Sequence, residues 1–317
     1  MRRKNFVLFK NIFIYTEVYN YREKEQEAIL FLHGLAGNHI DGSFLYSPDN
    51  KYMTITMDML NHGRSVKLES FTMDTYIDVV KAVVDFYRIK NVHFVGHSLG
   101  ADIAMMFAKK YPNGISDIVL LDRSYYNFSD VANYNFTPSF YKAVEYNPHS
   151  GLDYKSFSNL IHMMFENDIT KTWDIKNDVL LIAANPYWPT PVEGEPSIVD
   201  FIASIKQSPS DFGITPQIAS TIPDLNLDNL YSYMEFLQVK IAEFTLNNKH
   251  FYMVQSPFEH AMVYNDYAKP ELLKYVLEFI NNNDKNIAKN NIDKSIKENK
   301  GKFKIKSLKD ILSSDNV

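Results

Sequence analysis

The side chain best placed to do chemistry is Ser98, within Gly96-His97-Ser98-Leu99-Gly100. The pentapeptide separates a strand-type run, Val92 to Val95, from a helical run, Ala101 to Lys110. In that setting Gly-x-Ser-x-Gly predicts a nucleophile elbow, a sharp and strained turn. Strand and helix approach so closely there that the positions two before and two after the serine must be almost bare. Oγ then projects from the sheet edge at a helix N-terminus, where free N–H groups favour negative charge. A serine hydroxyl is a nucleophile only when a base takes its proton, so a histidine must lie within hydrogen-bond reach and be oriented by a carboxylate.

Placing such groups together requires a scaffold, and the flanking sequence supplies one. Phe6 to Val18 reads as two short strands. Ala28 to Leu32 is a buried-strand run ending in the glycine-rich loop His33-Gly34-Leu35-Ala36-Gly37, and Tyr52 to Met57 leads into Asp58-Met59-Leu60-Asn61-His62-Gly63-Arg64-Ser65. Thr72 is an N-cap candidate, and Met73, Tyr76, Val79, Val80, Val83 and Val84 recur at helical spacing up to about Arg88. The helix after the elbow stops at Tyr111-Pro112-Asn113-Gly114, and Asp117 to Leu121 is the next strand, closed by Asp122-Arg123-Ser124. Strand and helix alternate throughout, which predicts an α/β fold with a mostly parallel sheet covered by helices on both faces.

That alternation lapses over 125–177, a stretch rich in tyrosine and phenylalanine, and resumes at Val179 to Ala184. A second excursion covers about 185–248. His250 to Val254 is the last core strand and Pro270 to Ile280 the final helix. The core is therefore expected in 1–124 and 178–282, and the Lys- and Asn-rich residues 283–317 are expected to form a flexible tail. Within it Ile305, Leu308, Ile311 and Leu312 are spaced for one short amphipathic turn.

Composition narrows the classes. With 317 residues and 45% hydrophobic residues the chain can bury one large core. A net charge of −5 with no basic stripe interleaved with aromatics argues against nucleic acid as a partner. The sequence has no cysteine, which excludes disulfides, a thiolate nucleophile and zinc–sulfur sites. Met1-Arg2-Arg3-Lys4 imitates the start of a leader, but Lys10-Asn11 breaks the apolar stretch behind it. No segment reaches the roughly 20 apolar residues of a membrane span. These features give the expectation of a cytoplasmic location. His93 and His97 are four apart, but one lies on a strand, so no metal pair is expected; no cofactor is expected either.

Three motifs in order, the His33-Gly34 loop, the Asp58…His62-Gly63-Arg64-Ser65 loop and the Gly-His-Ser-Leu-Gly elbow, closely resemble those of the α/β-hydrolase family. Asn61 departs from the pattern, where that second loop often has glycine. The motifs fall between about residues 28 and 110, and the layout extends to about 282. The resemblance implies that 125–177 is a helical cap or lid inserted over the site. It implies the order serine, acid, histidine along the chain, which puts the base after the last strand at His260; His250 is the competitor, at the wrong end of that strand. The acid is implied after the strand ending at Ala184, yet Asn185-Pro186-Tyr187 follows, and Glu193 and Glu195 lie further on in a proline-rich loop. Asp122 is the alternative, at a strand end some members use for their acid; Asp200 and Asp224 also remain. The family's oxyanion hole falls on the backbone N–H groups of Leu35 and Leu99. Asp58 is implied to support loop amides, and His33, His62 and His97 carry no implied proton-transfer role.

With serine at the elbow the implied reactions are acyl transfers. The leading expectation is a serine hydrolase that cleaves a carboxylic ester, lactone or thioester through an acyl-enzyme. Its substrate would be a small molecule with an apolar or aromatic part, to match the aromatic insertion. An acyltransferase using the same residues, and a non-catalytic binding protein on the same scaffold, are the alternatives.

Overall fold

Branched and aromatic residues in runs of five to eight build the eight strands of a single sheet: β1 (Arg3–Phe9), β2 (Ile12–Tyr19), β3 (Glu27–Leu32), β4 (Met53–Met57), β5 (Asn91–His97), β6 (Ile115–Leu121), β7 (Asp178–Ala183) and β8 (Phe251–Gln255). The computed structural model describes residues 2–23, 27–35, 37–123, 159–160, 163, 174–184, 207–208, 216, 248–258, 260 and 262–299. The strands lie in the order β1-β2-β4-β3-β5-β6-β7-β8. β2 pairs antiparallel with β1 and with β4, and every pair from β4 to β8 is parallel.

Alternation along the strands feeds two cores. Leu30, Leu32, Ile55, Phe94, Leu120 and Leu181 pack on one face with α1 (Met73–Phe86) and α2 (Leu99–Lys110). Ile29, Phe31, Val95, Val119, Leu180 and Ile182 face the other side, against α3 (Lys269–Asn281) and α4 (Lys285–Asn299). A sheet buried on both faces explains strands that read as unbroken apolar runs. Thr72 caps α1 as anticipated, its side chain accepting from the Thr75 N–H while Thr75 returns the bond to the Thr72 N–H.

α4 departs from the sequence expectation, which put 283–317 in a flexible tail. Ala288, Ile292 and Ile296 recur every four residues and are buried, each isoleucine contributing roughly 1.5–3 kcal/mol. Lys285 adds a buried ion pair with Asp117 (2.8 Å) and donates to the Phe279 carbonyl (2.7 Å). The lysines and asparagines that suggested a solvated tail largely occupy the outer face of this docked helix. Residues 300–317, including Ile305 to Leu312, lie outside the described residues. So do most of the insertions expected at 125–177 and 185–248; of the first, 159–160, 163 and 174–177 are described, with Leu160, Met163 and Ile175 buried in the core shared with α1 and α2.

The parallel strands matter for the site because their C-terminal ends share one edge. Leu121 pairs with Ile182 and Ala183 with Gln255, so the residues that follow β6, β7 and β8 emerge side by side.

Candidate active site

Ser98 sits between β5 and α2 at φ 51°, ψ −114°, a left-handed conformation that a side chain with a Cβ adopts only under constraint. Its neighbours supply the constraint. A Cβ on Gly96 would lie 2.6 Å from the Gly100 carbonyl oxygen, and one on Gly100 would lie 2.1 Å from the Leu32 carbonyl oxygen. No side chain larger than hydrogen fits at either position, which accounts for the glycine spacing on steric grounds. The Ser98 N–H donates to the Leu121 carbonyl (3.2 Å), tying the turn to the end of β6.

Asp122 follows β6 in a second left-handed turn, φ 52°, with its own N–H donating to the Ile182 carbonyl (3.0 Å). Each carboxylate oxygen has a partner. Oδ1 accepts from the Ala184 N–H (2.8 Å), and Oδ2 lies 2.5 Å from His260 Nδ1. Burial pushes this carboxyl up, but the His260 hydrogen bond and charge, with the Ala184 amide, outweigh it and hold the group below the usual aspartate range. His260, 42% exposed, stands in the loop after β8 and is 138 residues from Asp122 in sequence. Of the acids considered from sequence, Asp122 is the one brought to His260 among the described residues; Glu193, Glu195, Asp200 and Asp224 lie outside them.

The His260 loop is held against the elbow by His97. Its Nε2–H donates to the His260 carbonyl (2.8 Å), and the two rings lie 5.1 Å apart. Burial first, then the nearby His260, push the His97 pKa down to about 3. On the other side the first loop closes in, since a Cβ on Gly34 would lie 2.8 Å from His97 Nδ1 and 3.3 Å from Ser98 Cβ. Leu35 lies within the turn closed by Gly37 N–H to the Gly34 carbonyl (3.0 Å), and Leu99 is the first residue of α2, a position whose N–H has no acceptor in the preceding turn of helix.

The other histidines have different duties. His33 accepts the Met59 N–H on Nε2 (2.9 Å) and donates from Nδ1 to the Gly34 carbonyl (2.7 Å), and burial, then His62, lower its pKa to about 3. His62 donates to the Leu60 carbonyl (2.9 Å), with burial lowering its pKa to about 4. His250 meets Asp178 at 3.1 Å at the opposite end of β8, away from the elbow. His93 lies between Asp117 (3.0 Å) and Glu27 (3.2 Å), again at the far edge, and does not join His97.

Two supports were not foreseen from the sequence. Asp102, buried on α2, pairs with Arg123, the residue after Asp122, and so links the elbow helix to the Asp122 turn. Asp58 was foreseen as a loop support, and accepts from the His39 N–H (2.7 Å) and the Arg64 N–H (2.8 Å). Unforeseen is the continuation, in which the His39 ring bridges Asp58 (2.7 Å) to the buried Glu17 (3.4 Å) on β2. The signal missed was a glutamate inside an apolar strand, which needs a partner.

Comparison with known proteins agrees with this architecture. Residues 27–152 match the model of the alpha/beta hydrolase fold family. An alpha/beta hydrolase enzyme from a Medee basin deep-sea metagenome library superimposes with TM-score 0.61 at 16% identity, over 88% of this chain and 98% of that one. The enol-lactonase of Burkholderia xenovorans gives TM-score 0.60 at 11% identity, over 88% and 100%. The partial family match and the structural likeness together show that the chain has the α/β-hydrolase fold. Among curated proteins it is 31% identical over 112 residues to a probable alcohol acetyltransferase of Wickerhamomyces anomalus, over 34% of this chain and 33% of that protein. To the probable lysophospholipase BODYGUARD 1 of Arabidopsis thaliana it is 29% identical over 113 residues, over 33% and 24%. The chain thus spans a third or less of the length of these two curated relatives. Among the described residues no helix is long and apolar enough to cross a membrane.

Proposed function

We propose that this protein is a serine hydrolase that cleaves a carboxylic ester, lactone or thioester of a small molecule with an apolar or aromatic part. The observation that carries the reading is the Asp122 carboxylate on His260 Nδ1, with the His260 loop held against the elbow that presents Ser98. A carboxylate accepting from Nδ1 leaves the Nε2 lone pair free to act as base.

In the proposed reaction Ser98 Oγ attacks the substrate carbonyl carbon as His260 Nε2 takes the hydroxyl proton. The carbonyl π pair moves onto oxygen, where the N–H groups of Leu35 and Leu99 receive it; losing one such donor typically costs about 3 kcal/mol in the barrier. Collapse expels the alcohol or thiol, which takes the proton back from His260. Water then attacks the acyl-enzyme by the same route, releasing the acid and restoring Ser98.

The similarity to an alcohol acetyltransferase keeps one alternative open, an acyl-enzyme captured by an alcohol instead of water. The binding-protein reading drew its support from the want of an acid after Ala184, and a carboxylate on His260 weighs against it. We extend the proposal to the division of the chain, with a core of 1–124 and 178–282 on which α4 docks, a second insertion at about 185–248 and a cap of 125–177. We extend the proposal also to a cytoplasmic setting, with which a chain without cysteine is compatible.

The test is hydrolysis of p-nitrophenyl acetate and butyrate by wild type and Ser98→Ala. Wild type should turn over, the variant should lose at least about 10³-fold, and melting should be nearly unchanged. Equal turnover by the variant overturns the assignment. Ester formation from an added alcohol in preference to hydrolysis would favour the acyltransferase.

A further inference from the structure

We infer that His97, the middle residue before the elbow serine, is a positioning residue that fixes the main chain of His260 through its Nε2–H. The inference rests on the hydrolase reading and concerns a residue given no proton-transfer role in it. Three observations support it. His97 Nε2 lies 2.8 Å from the His260 carbonyl oxygen, and an acceptor there obliges that nitrogen to carry the proton. His97 is 2% exposed, so the bond is shielded from competing water. Its second nitrogen, Nδ1, is buried with no hydrogen-bond partner among the described residues.

That last point separates a directed role from mere packing. A buried nitrogen without a donor is a standing cost, so a ring retained only to fill space would be better replaced by an apolar one. The bond on the opposite nitrogen gives a reason for imidazole. His260 is thereby anchored at both ends, its carbonyl by His97 and its ring by Asp122 at 2.5 Å. Both anchors lie beside the elbow, since His97 directly precedes Ser98 in the chain. The same ring accounts for the glycine at position 34, because a Cβ there would come within 2.8 Å of Nδ1. One side chain thus sets the spacing of the first loop, the elbow and the histidine loop. Burial keeps His97 in its neutral form, so it adds no charge beside an imidazolium on His260.

The geometry of the two nitrogens yields a sharp test. A glutamine amide nitrogen reaches roughly the place of histidine Nε2, whereas an asparagine amide reaches only that of Nδ1. With p-nitrophenyl butyrate, His97→Phe should lower kcat by about 10²-fold with KM little changed, the size expected when a reacting group is displaced by about 1 Å. Fluorophosphonate labelling of Ser98 should slow in parallel. His97→Gln should restore kcat to within a few fold, and His97→Asn should not. Melting temperatures identify any variant that fails to fold, and the Gln–Asn contrast stands even if the phenylalanine variant does not. Wild-type kcat in His97→Phe overturns the inference, as does equal rescue by Asn and Gln, or a change confined to KM. A wild type that neither turns over nor labels overturns the hydrolase reading and the inference with it; a labelled wild type matched in rate by His97→Phe overturns the inference alone.

Discussion

Replacing Asp122 by Asn removes one charge and no volume, and the surroundings dictate how the amide must sit. Ala184 N–H donates at 2.8 Å to Oδ1, so the amide oxygen must stay there; the flipped rotamer would set two donors against each other. The amide nitrogen is then forced to face His260 Nδ1, where the carboxylate oxygen lies at 2.5 Å. It can only donate, so Nδ1 must accept and the imidazole proton moves to Nε2, the nitrogen that the proposed mechanism uses as base for Ser98. The same forced tautomer in a triad typically lowers turnover by about 10⁴-fold, equivalent to about 5.4 kcal/mol in the barrier. The variant should stay folded but melt somewhat lower at pH 7, because the hydrogen-bond count is conserved while the charged form that the fold favours is lost. The assay is kcat/KM on p-nitrophenyl butyrate with a thermal melt of the same sample. Turnover above about a tenth of wild type in folded Asp122→Asn would refute the reasoning and return the acid's role to Glu193 or Glu195.

Acid should loosen the fold with a defined sign. In Glu17, Asp58 and Asp122 burial raises the pKa but hydrogen bonds and nearby positive charge outweigh it, so each folded value lies below the unfolded one. Their stabilisation is complete above the unfolded pKa of about 4 and is lost as pH falls through the folded values. Asp41 and Asp102, raised chiefly by burial, act in the opposite sense. Comparing wild type with Asp58→Asn isolates the effect: the variant should melt lower at pH 7 and show a shallower decline towards pH 3, and identical slopes would contradict the account. Asn61, at φ 66°, bonds through its side chain to the Leu68 carbonyl (2.7 Å) and N–H (3.2 Å). Asn61→Ala loses both bonds and strains the left-handed turn, costing about 2–3 kcal/mol, and Asn61→Gly, free of the strain, should cost less. Urea unfolding measures the order, and an alanine variant as stable as the glycine one would be the contrary result.

What the sequence disclosed follows the range of the interactions involved. The elbow was legible because its determinants are local: Gly96 and Gly100 are bare for reasons lying within one turn of chain and one neighbouring strand. His260 could be ranked above His250 because the resemblance puts the base after the last strand, and His250 stands at the other end of that strand. Asp122 remained one choice among several because the deciding contact, with His260, spans 138 residues and depends on β6, β7 and β8 ending at a common edge. The Glu17–His39–Asp58 bridge joins β2, the loop after β3 and the end of β4, and no periodicity records such a meeting. α4 was misread for a different reason. Its apolar residues do keep a spacing of four, but lysine and asparagine outnumber them, and a composition reading averages away the face that docks.

The most direct measurement of the central claim is intact-mass analysis after fluorophosphonate treatment of wild type and Ser98→Ala. A phosphonate bonds covalently only to a serine whose proton is being drawn off by a base, so the reagent reads activation without knowledge of the natural substrate. The account predicts one adduct on wild type and none on the variant. Folded wild type without an adduct, or a variant labelled as fully as wild type, would contradict it.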